Sequence, residues 1–261
     1  MTMDQPSPYV QATGFVDERG VRTVCAQLER IPFRERSGHR LALGFGMDHE
    51  ALRTGQFDRS ILLRDPAAFP ALLKGAGENM TMLHYTPPRR GAKQLLRVRS
   101  LAEVLPHETA ILCDAVQING QAPAPEEVRR LRDTYPHMQV SLPLDATAAR
   151  WETDCILEMA DTYAQHIHHL LIDSSGGRGK PVDMPRAAAL AAALQQAFPR
   201  LGVGVAGGFG ADNAEERIRM LRGKLATPFN VDAEGQLQTN GTLNLVKTLA
   251  YFHAALRGFS S

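Results

Sequence analysis

Eight short apolar runs separated by helical patterns, a spacing of about 26–40 residues between them, and a length of 261 residues predict an α/β fold. The closed (β/α)8 TIM barrel fits best, since one strand plus one helix needs that spacing and such barrels take ~250 residues. An open doubly wound sheet shares the alternation. However, no G-x-G-x-x-G follows the first run, and the count of eight favours the barrel. No low-complexity linker divides the chain, so one domain over residues 1–261 is expected.

Tyr9–Thr13 reads as the first strand, and the amphipathic segment Asp17–Leu28 as the helix after it. Arg40–Phe45 and Met80–Tyr85 are the next strands. Residues 29–39 and 46–79 are polar and proline-containing, so extra loops or short helices are expected mainly within 29–79. Ala92–Leu105 carries Leu95, Leu96, Leu101 and Leu105 at helical spacing. Strand Ala110–Ile118 then leads through a Pro-rich turn into helix Glu126–Tyr135. Strand Gln139–Leu142 precedes helix Ala148–Ala164, which places Ile156, Met159 and Ala160 on one face. Strand His168–Ile172 precedes helix Pro185–Phe198, which opens with proline where the missing N–H costs least. Strands Gly202–Ala206 and Pro228–Val231, with helices Asn213–Leu221 and Leu243–Leu256, complete the pattern.

Composition removes several function classes. Lys and Arg number 29 against 28 Asp and Glu, so the net charge of +1 supplies no electrostatic footprint for nucleic acid. The longest apolar stretches, such as Ala187–Ala193, fall far short of a membrane span. Cys25, Cys113 and Cys155 form no C-x-x-C pair, which argues against a disulfide framework or a structural zinc site. With no secretory signal pattern in MTMDQPSPYV, the cytoplasm is the expected compartment. No cofactor and no metal are expected. The H-x-H-H cluster His166, His168 and His169 lies at a strand's N-terminal end, away from a barrel's active face.

Two segments carry chemistry. In HHLLIDSSGGRGKPVD (His168–Asp183) a strand ends in Asp173 and a Gly-rich turn follows. Side chains at the C-terminal ends of barrel strands face the active-site mouth, where a carboxylate can transfer protons. The alternative is that Asp173 caps the turn. In VGVAGGFGADNAEERI (Val203–Ile218) a strand runs into Gly207-Gly208, then an Asp-Asn pair able to cap a helix. Backbone N–H groups of such a turn can hold phosphate or carboxylate, and the loop after strand seven is a common phosphate site. His84 ends the third strand and is a candidate acid–base group, or a structural histidine at the rim. Asp48 and His49 could face the same pocket. On strand four, the period of two puts Gln117 and Asn119 on one face and Asp114 on the other.

Residues 110–257 resemble phosphoribosylanthranilate isomerase, a (β/α)8 enzyme of tryptophan biosynthesis. The family's Leu-Asp, then G-G-T-G-K-x-F-D-W, is matched by Ile172-Asp173, then Gly176-Gly177-Arg178-Gly179-Lys180-Pro181-Val182-Asp183. Its A-G-G-L-x-P-x-N is matched by Ala206-Gly207-Gly208-Phe209 with Asn213, and its V-Q-L-H-G by Val116-Gln117-Ile118-Asn119-Gly120. The resemblance implies an Amadori rearrangement, with the general acid at Asp173 and the general base at a strand-one cysteine. Here Gln11-Ala12-Thr13-Gly14-Phe15 stands in the K-I-C-G-I position, so Thr13 replaces that cysteine. A hydroxyl cannot take a carbon-bound proton unless something activates it. Cys25 falls on the first helix and reads as a packed apolar residue.

Three further departures follow. Asn119 replaces the family's histidine, and Arg178 replaces a threonine, adding a cation at the rim that could bind an anion or be solvated. The V-D-V-S-S-G-V-E segment becomes Phe229–Gln236, which puts Ala233 and Glu234 where the Ser-Gly pair helps hold phosphate. A glutamate facing phosphate at 4 Å is repelled by ~4 kcal/mol. Glu234 therefore points away, or handles a hydroxyl or amine, or the ligand is not a phosphate. The resulting expectation is a divergent isomerase-like, acid–base enzyme on a sugar phosphate or other small anionic metabolite, with no nucleic-acid or membrane partner. Two alternatives stand beside it: a non-catalytic barrel acting as a binding or assembly partner, and the family's own reaction run with another base. The sequence leaves a homo-oligomer open.

Overall fold

The computed structural model describes residues 6–90, 93–94, 110–144, 152–173 and 182–260. Eight parallel strands close into a barrel: β1 (Tyr9–Thr13), β2 (Arg40–Asp48), β3 (Met80–Thr86), β4 (Ala115–Ile118), β5 (Gln139–Leu144), β6 (His169–Asp173), β7 (Gly202–Ala206) and β8 (Asn230–Ala233). Each strand pairs with its neighbours in sequence, and β8 returns to β1 with Gln11 opposite Asp232. The helices among the described residues are α1 (Glu18–Leu28), α2 (Phe33–Ser37), α3 (His49–Thr54), α4 (Phe69–Gly75), α5 (Pro125–Thr134), α6 (Thr153–Tyr163), α7 (Met184–Ala197), α8 (Ala214–Arg222) and α9 (Leu245–Ser260).

Strand alternation sorts the side chains into two cores. Val10, Ala12, Leu43, Val116, Leu170, Val203 and Val231 belong to the large cluster between sheet and helices. Tyr9, Ala42, Met80, Met82 and Ala115 form a second cluster inside the barrel. Above that apolar plug the inward positions turn polar, with Gln11, Thr13, His84, Gln117 and Asp232 all buried. Gly44 opens room for them, because a Cβ there would overlap Thr13 and Gln11.

Local chemistry sets the boundaries. Asp17 caps α1 by accepting from the Gly20 N–H at 2.7 Å, and Asp183 caps α7 through the Arg186 N–H at 3.1 Å. The fourth strand starts at Ala115, five residues later than the sequence predicts, because Asp114 turns its carboxylate onto the Thr81 N–H and hydroxyl, both at 2.8 Å. The eighth strand runs Asn230–Ala233 rather than Pro228–Val231, since Pro228 has no N–H for the ladder. The last helix begins at Leu245 instead of Leu243, after a small hairpin, Gln238–Thr239 with Thr242–Leu243. Asn240 and Gly241 turn that hairpin with φ of 53° and 76°, a conformation Asn-Gly adopts readily. Of the expected helix Ala92–Leu105 only Lys93–Gln94 is described, and it is a strand paired antiparallel with Arg89–Arg90; the rest lies outside the described residues. No helix among the described residues is long and apolar enough to cross a membrane.

Candidate active site at the barrel mouth

The floor of the C-terminal mouth is one hydrogen-bonded patch drawn from four strands. From β1, the Thr13 hydroxyl donates to Asp232 Oδ1 of β8 at 3.2 Å and lies 3.3 Å from His84 Nε2 of β3. Gln11 Nε2 donates to Thr13 Oγ1 at 3.0 Å and also faces His84 Nε2. From β4, Gln117 Nε2 lies 3.2 Å from His84 Nδ1 and donates to Asn119 Oδ1 at 3.0 Å. Alternation places all of these side chains inward, and Thr13, Gln11, His84, Gln117 and Asp232 are each less than a tenth exposed.

Burial sets the charges. Loss of solvent, and then the nearby negative charge of Asp173, push the Asp232 carboxyl up to about 7. Hydrogen bonds from Thr13 and the Ala233 N–H oppose that rise. Burial, with a smaller repulsion from Arg59, takes His84 down to about 3, so its imidazole is neutral. Asp173, half-buried, closes β6 opposite Ala206 of β7. The turn after it, with Gly177 and Arg178, lies outside the described residues.

Over the seam where β8 meets β1 and β2 runs a strap, residues 59–63. Arg59 pairs with Glu234, and Ser60 donates to the Gly241 carbonyl. Ile61 packs over Gly14, and the Leu63 N–H donates to the Gly46 carbonyl at 2.7 Å. Glu234 therefore carries its own counter-cation, which removes the bare charge that would repel an anion. At the end of β7, Gly207 and Gly208 hold φ of 104° and 65°, open only to glycine without strain. The Gly208 carbonyl accepts from Arg217 at 2.7 Å and from Asn213 Nδ2 at 2.9 Å. Asn213 does not cap α8 through its side chain; its Oδ1 accepts from the Gly210 N–H at 3.1 Å and braces the turn.

No family model and no curated protein sequence matches the chain. Solved structures do. N-(5'-phosphoribosyl)anthranilate isomerase from Pyrococcus furiosus superposes with a TM-score of 0.61 at 13% identity, covering 95% of this chain and 98% of that one. The phosphoribosyl anthranilate isomerase of Thermotoga maritima gives 0.60 at 16% identity with the same coverage. A third, solved in complex with reduced 1-(o-carboxyphenylamino)-1-deoxyribulose 5-phosphate, gives 0.57 at 15%. The fold is a phosphoribosylanthranilate isomerase-like (β/α)8 barrel.

In this isomerase-like barrel, three of the residues singled out from sequence, Thr13, His84 and Asn119, meet in one network. Asp173 reaches it through its effect on Asp232. Glu234 sits at the rim with Arg59, and Gly207 and Gly208 form the neighbouring turn. Sequence reasoning missed Asp232, Gln11 and Arg59. The signal for two of them was present: counting back by two from Glu234 and Thr13 puts Asp232 and Gln11 on the inward face. The other candidates have local roles. Asp48 caps α3 through the Ala51 N–H at 2.8 Å, and His49 Nδ1 lies 3.1 Å from the Tyr85 hydroxyl. His168 Nδ1 accepts from the Val140 N–H, and His169 lies in the barrel interior between Gln139 and Asn230. Cys25 is buried in α1 with its thiol pushed up to about 11, chiefly by burial. No cluster able to hold a metal ion occurs among the described residues.

Proposed function

We infer that the isomerase-like barrel is an acid–base enzyme of isomerase type, acting on a sugar phosphate or a related small anionic metabolite. The observation that carries this reading is Asp232: a buried carboxyl at the mouth, hydrogen-bonded by Thr13 and close enough to Asp173 for the two to influence each other. Two carboxyls whose surroundings differ are the usual equipment for taking a proton at one atom and returning one at another. One carboxylate removes the proton beside a carbonyl or imine, and the electron pair moves onto the heteroatom. The other carboxyl protonates that heteroatom, and reversal at the neighbouring carbon completes the isomerisation with no further reactant. Asp232 supplies the base that Thr13 cannot, and Asp173 is its partner. The Arg59–Glu234 pair and the Gly207-Gly208 turn at the same rim support an anionic ligand.

The test combines binding with exchange. Inorganic phosphate, ribose 5-phosphate and a phosphoribosylated aromatic amine are each added while the melting temperature is followed. A ligand at 100 times its Kd adds about 2.7 kcal/mol to stability. The same compounds are then incubated in D2O and read by NMR for deuterium at the carbon beside the carbonyl. Stabilisation and exchange in the wild type, with exchange lost in Asp232→Asn and Asp173→Asn, is the expected result. If no compound stabilises the protein and none exchanges, the enzyme reading fails and a non-catalytic barrel takes its place.

A further inference from the structure

Where β7 ends, two successive peptides are turned the same way and held from behind. Arg217 Nη1 donates to the Gly207 carbonyl at 3.3 Å and to the Gly208 carbonyl at 2.7 Å. Asn213 Nδ2 donates to the Gly208 carbonyl as well, at 2.9 Å, while Asn213 Oδ1 accepts from the Gly210 N–H at 3.1 Å. These directions are fixed by chemistry: a guanidinium only donates, a carbonyl only accepts, and an amide set between a carbonyl and an N–H fits one way round. The Arg217 guanidinium also lies over the Phe209 ring, 5.5 Å from its centre. In a trans peptide the N–H points opposite to the carbonyl. Arg217 belongs to α8, in the helical layer outside the sheet, so the N–H groups of Gly208 and Phe209 point the other way, towards the mouth. Ala206, just before the turn, stands opposite both Asp173 and Asp232 in the ladder, which makes it the same mouth. Gly208 and Phe209 are buried, and among the described residues neither N–H has an acceptor. Buried N–H groups are nearly always paired, so two that share one side of a turn form a socket for an acceptor.

We propose that Arg217 is a positioning residue for the anionic group of the ligand: it pins the Gly207 and Gly208 carbonyls so that the Gly208 and Phe209 N–H groups stand ready for a phosphate or carboxylate oxygen. It does not touch that oxygen, because it lies on the carbonyl side of the turn, behind the donors. Pinning matters at this place because glycine peptides are the freest in the chain, and a turn ordered only on binding would weaken the affinity by the cost of ordering it. The guanidinium charge also stands at the negative ends of the two peptide dipoles, which leaves their positive ends facing the ligand. The inference rests on the anionic-ligand part of the proposed function and on nothing assigned to Asp232 or Asp173.

The test is NMR on the full chain, labelled with 13C and 15N, with inorganic phosphate as the probe. In the wild type, phosphate should move the Gly208 and Phe209 amide protons downfield and saturate. Arg217→Met keeps an unbranched stem against Phe209 and removes the donor and the charge; Arg217 is only half-buried, so the fold survives the change. Without ligand, the Gly207 and Gly208 carbonyl carbons should then shift upfield as they lose a hydrogen bond. The phosphate Kd should rise about tenfold or more, the size of one hydrogen bond to a charged group. Arg217→Lys, whose single nitrogen can donate to both carbonyls as Nη1 does, should restore both readouts. Melting temperatures are followed in parallel: a lower one with an unchanged phosphate Kd makes Arg217 a mere anchor of α8 and overturns the proposal. So do carbonyl signals unmoved by Arg217→Met, or wild-type Gly208 and Phe209 amides that phosphate leaves in place. Phosphate held by the two amides without deuterium exchange in any compound sinks the enzyme reading alone, and exchange with phosphate binding indifferent to Arg217 sinks this inference alone.

Discussion

Replacing Asp232 by Asn separates a functional carboxyl from a structural one, because the two make opposite demands on stability. The Asp232 carboxyl is raised from 3.8 to about 7 on folding. The folded state therefore holds a proton that the unfolded chain releases, and stability falls as pH rises from about 4 to about 7. At about 1.36 kcal/mol per pH unit, the full loss is about 4 kcal/mol, more than half of it between pH 5 and pH 8. Asparagine keeps an oxygen for the Thr13 hydroxyl and has no charge to bury. The variant's stability relative to wild type should therefore improve by 2–3 kcal/mol, order of magnitude, between those pH values. Urea unfolding at pH 5 and pH 8, extrapolated linearly, measures it, and titrations common to both proteins cancel in the difference. Exchange activity should vanish in the same variant. A difference that stays constant with pH would refute the buried, neutral-range carboxyl and the role built on it.

Three further outcomes follow from the same geometry. Gly44→Ala should displace Thr13 and Gln11 and cost about 1–3 kcal/mol of stability, as overpacking does; unchanged unfolding with intact exchange would show that the crowding is relieved elsewhere. Arg59→Ala should cost no more than about 1 kcal/mol, since the Arg59 side chain is 41% exposed, yet it should weaken stabilisation by phosphate, whereas Glu234→Gln should strengthen it; equal phosphate responses in all three proteins would place the anion elsewhere. His84 and His169 are both held near 3 by burial, so the unfolded chain alone takes up their protons below about pH 6.5. Their contribution is lost as pH falls from there towards 3, and replacing His169 by Gln should flatten the acid limb of a pH–stability curve.

The barrel was legible because alternation and spacing are local signals. β1 and β7 match their sequence-derived bounds to the residue, and Asp17 marks the start of α1 as a cap should. Boundaries failed where a side chain competed with the ladder, as at Asp114, or where proline removed a donor, as at Pro228. The site was legible only by halves. In the sequence Thr13 and Asn119 stand out as departures from a family pattern and His84 as a strand-end histidine, but nothing local joins one to another. That Thr13 touches both His84 and Asp232 depends on barrel closure, which joins residues 219 apart in sequence. Arg59 lies in a segment with no periodicity, and its pairing with Glu234 spans 175 residues. Nothing local to either residue announces the other.

Closure also bears on what a threonine means where the resemblance expects a strand-one cysteine. The resemblance puts the base at position 13, and threonine there has no basicity of its own. But β1 and β8 are hydrogen-bonded neighbours, with Gln11 opposite Asp232, so a carboxyl on β8 reaches the same corner of the mouth as a side chain on β1. A hydroxyl at position 13 is then suited to a neighbouring base: it donates to Asp232 and steadies its charged form, whereas an ionised thiolate would repel it. The strap over this seam is tied by Arg59 to Glu234 and by Ser60 to Gly241. Dryness is what raises the Asp232 carboxyl towards neutrality, where a carboxyl both gives and takes protons readily. On the proposed reading, the threonine, the aspartate and the strap are one change distributed over three segments, and altering any one of them should move the Asp232 midpoint.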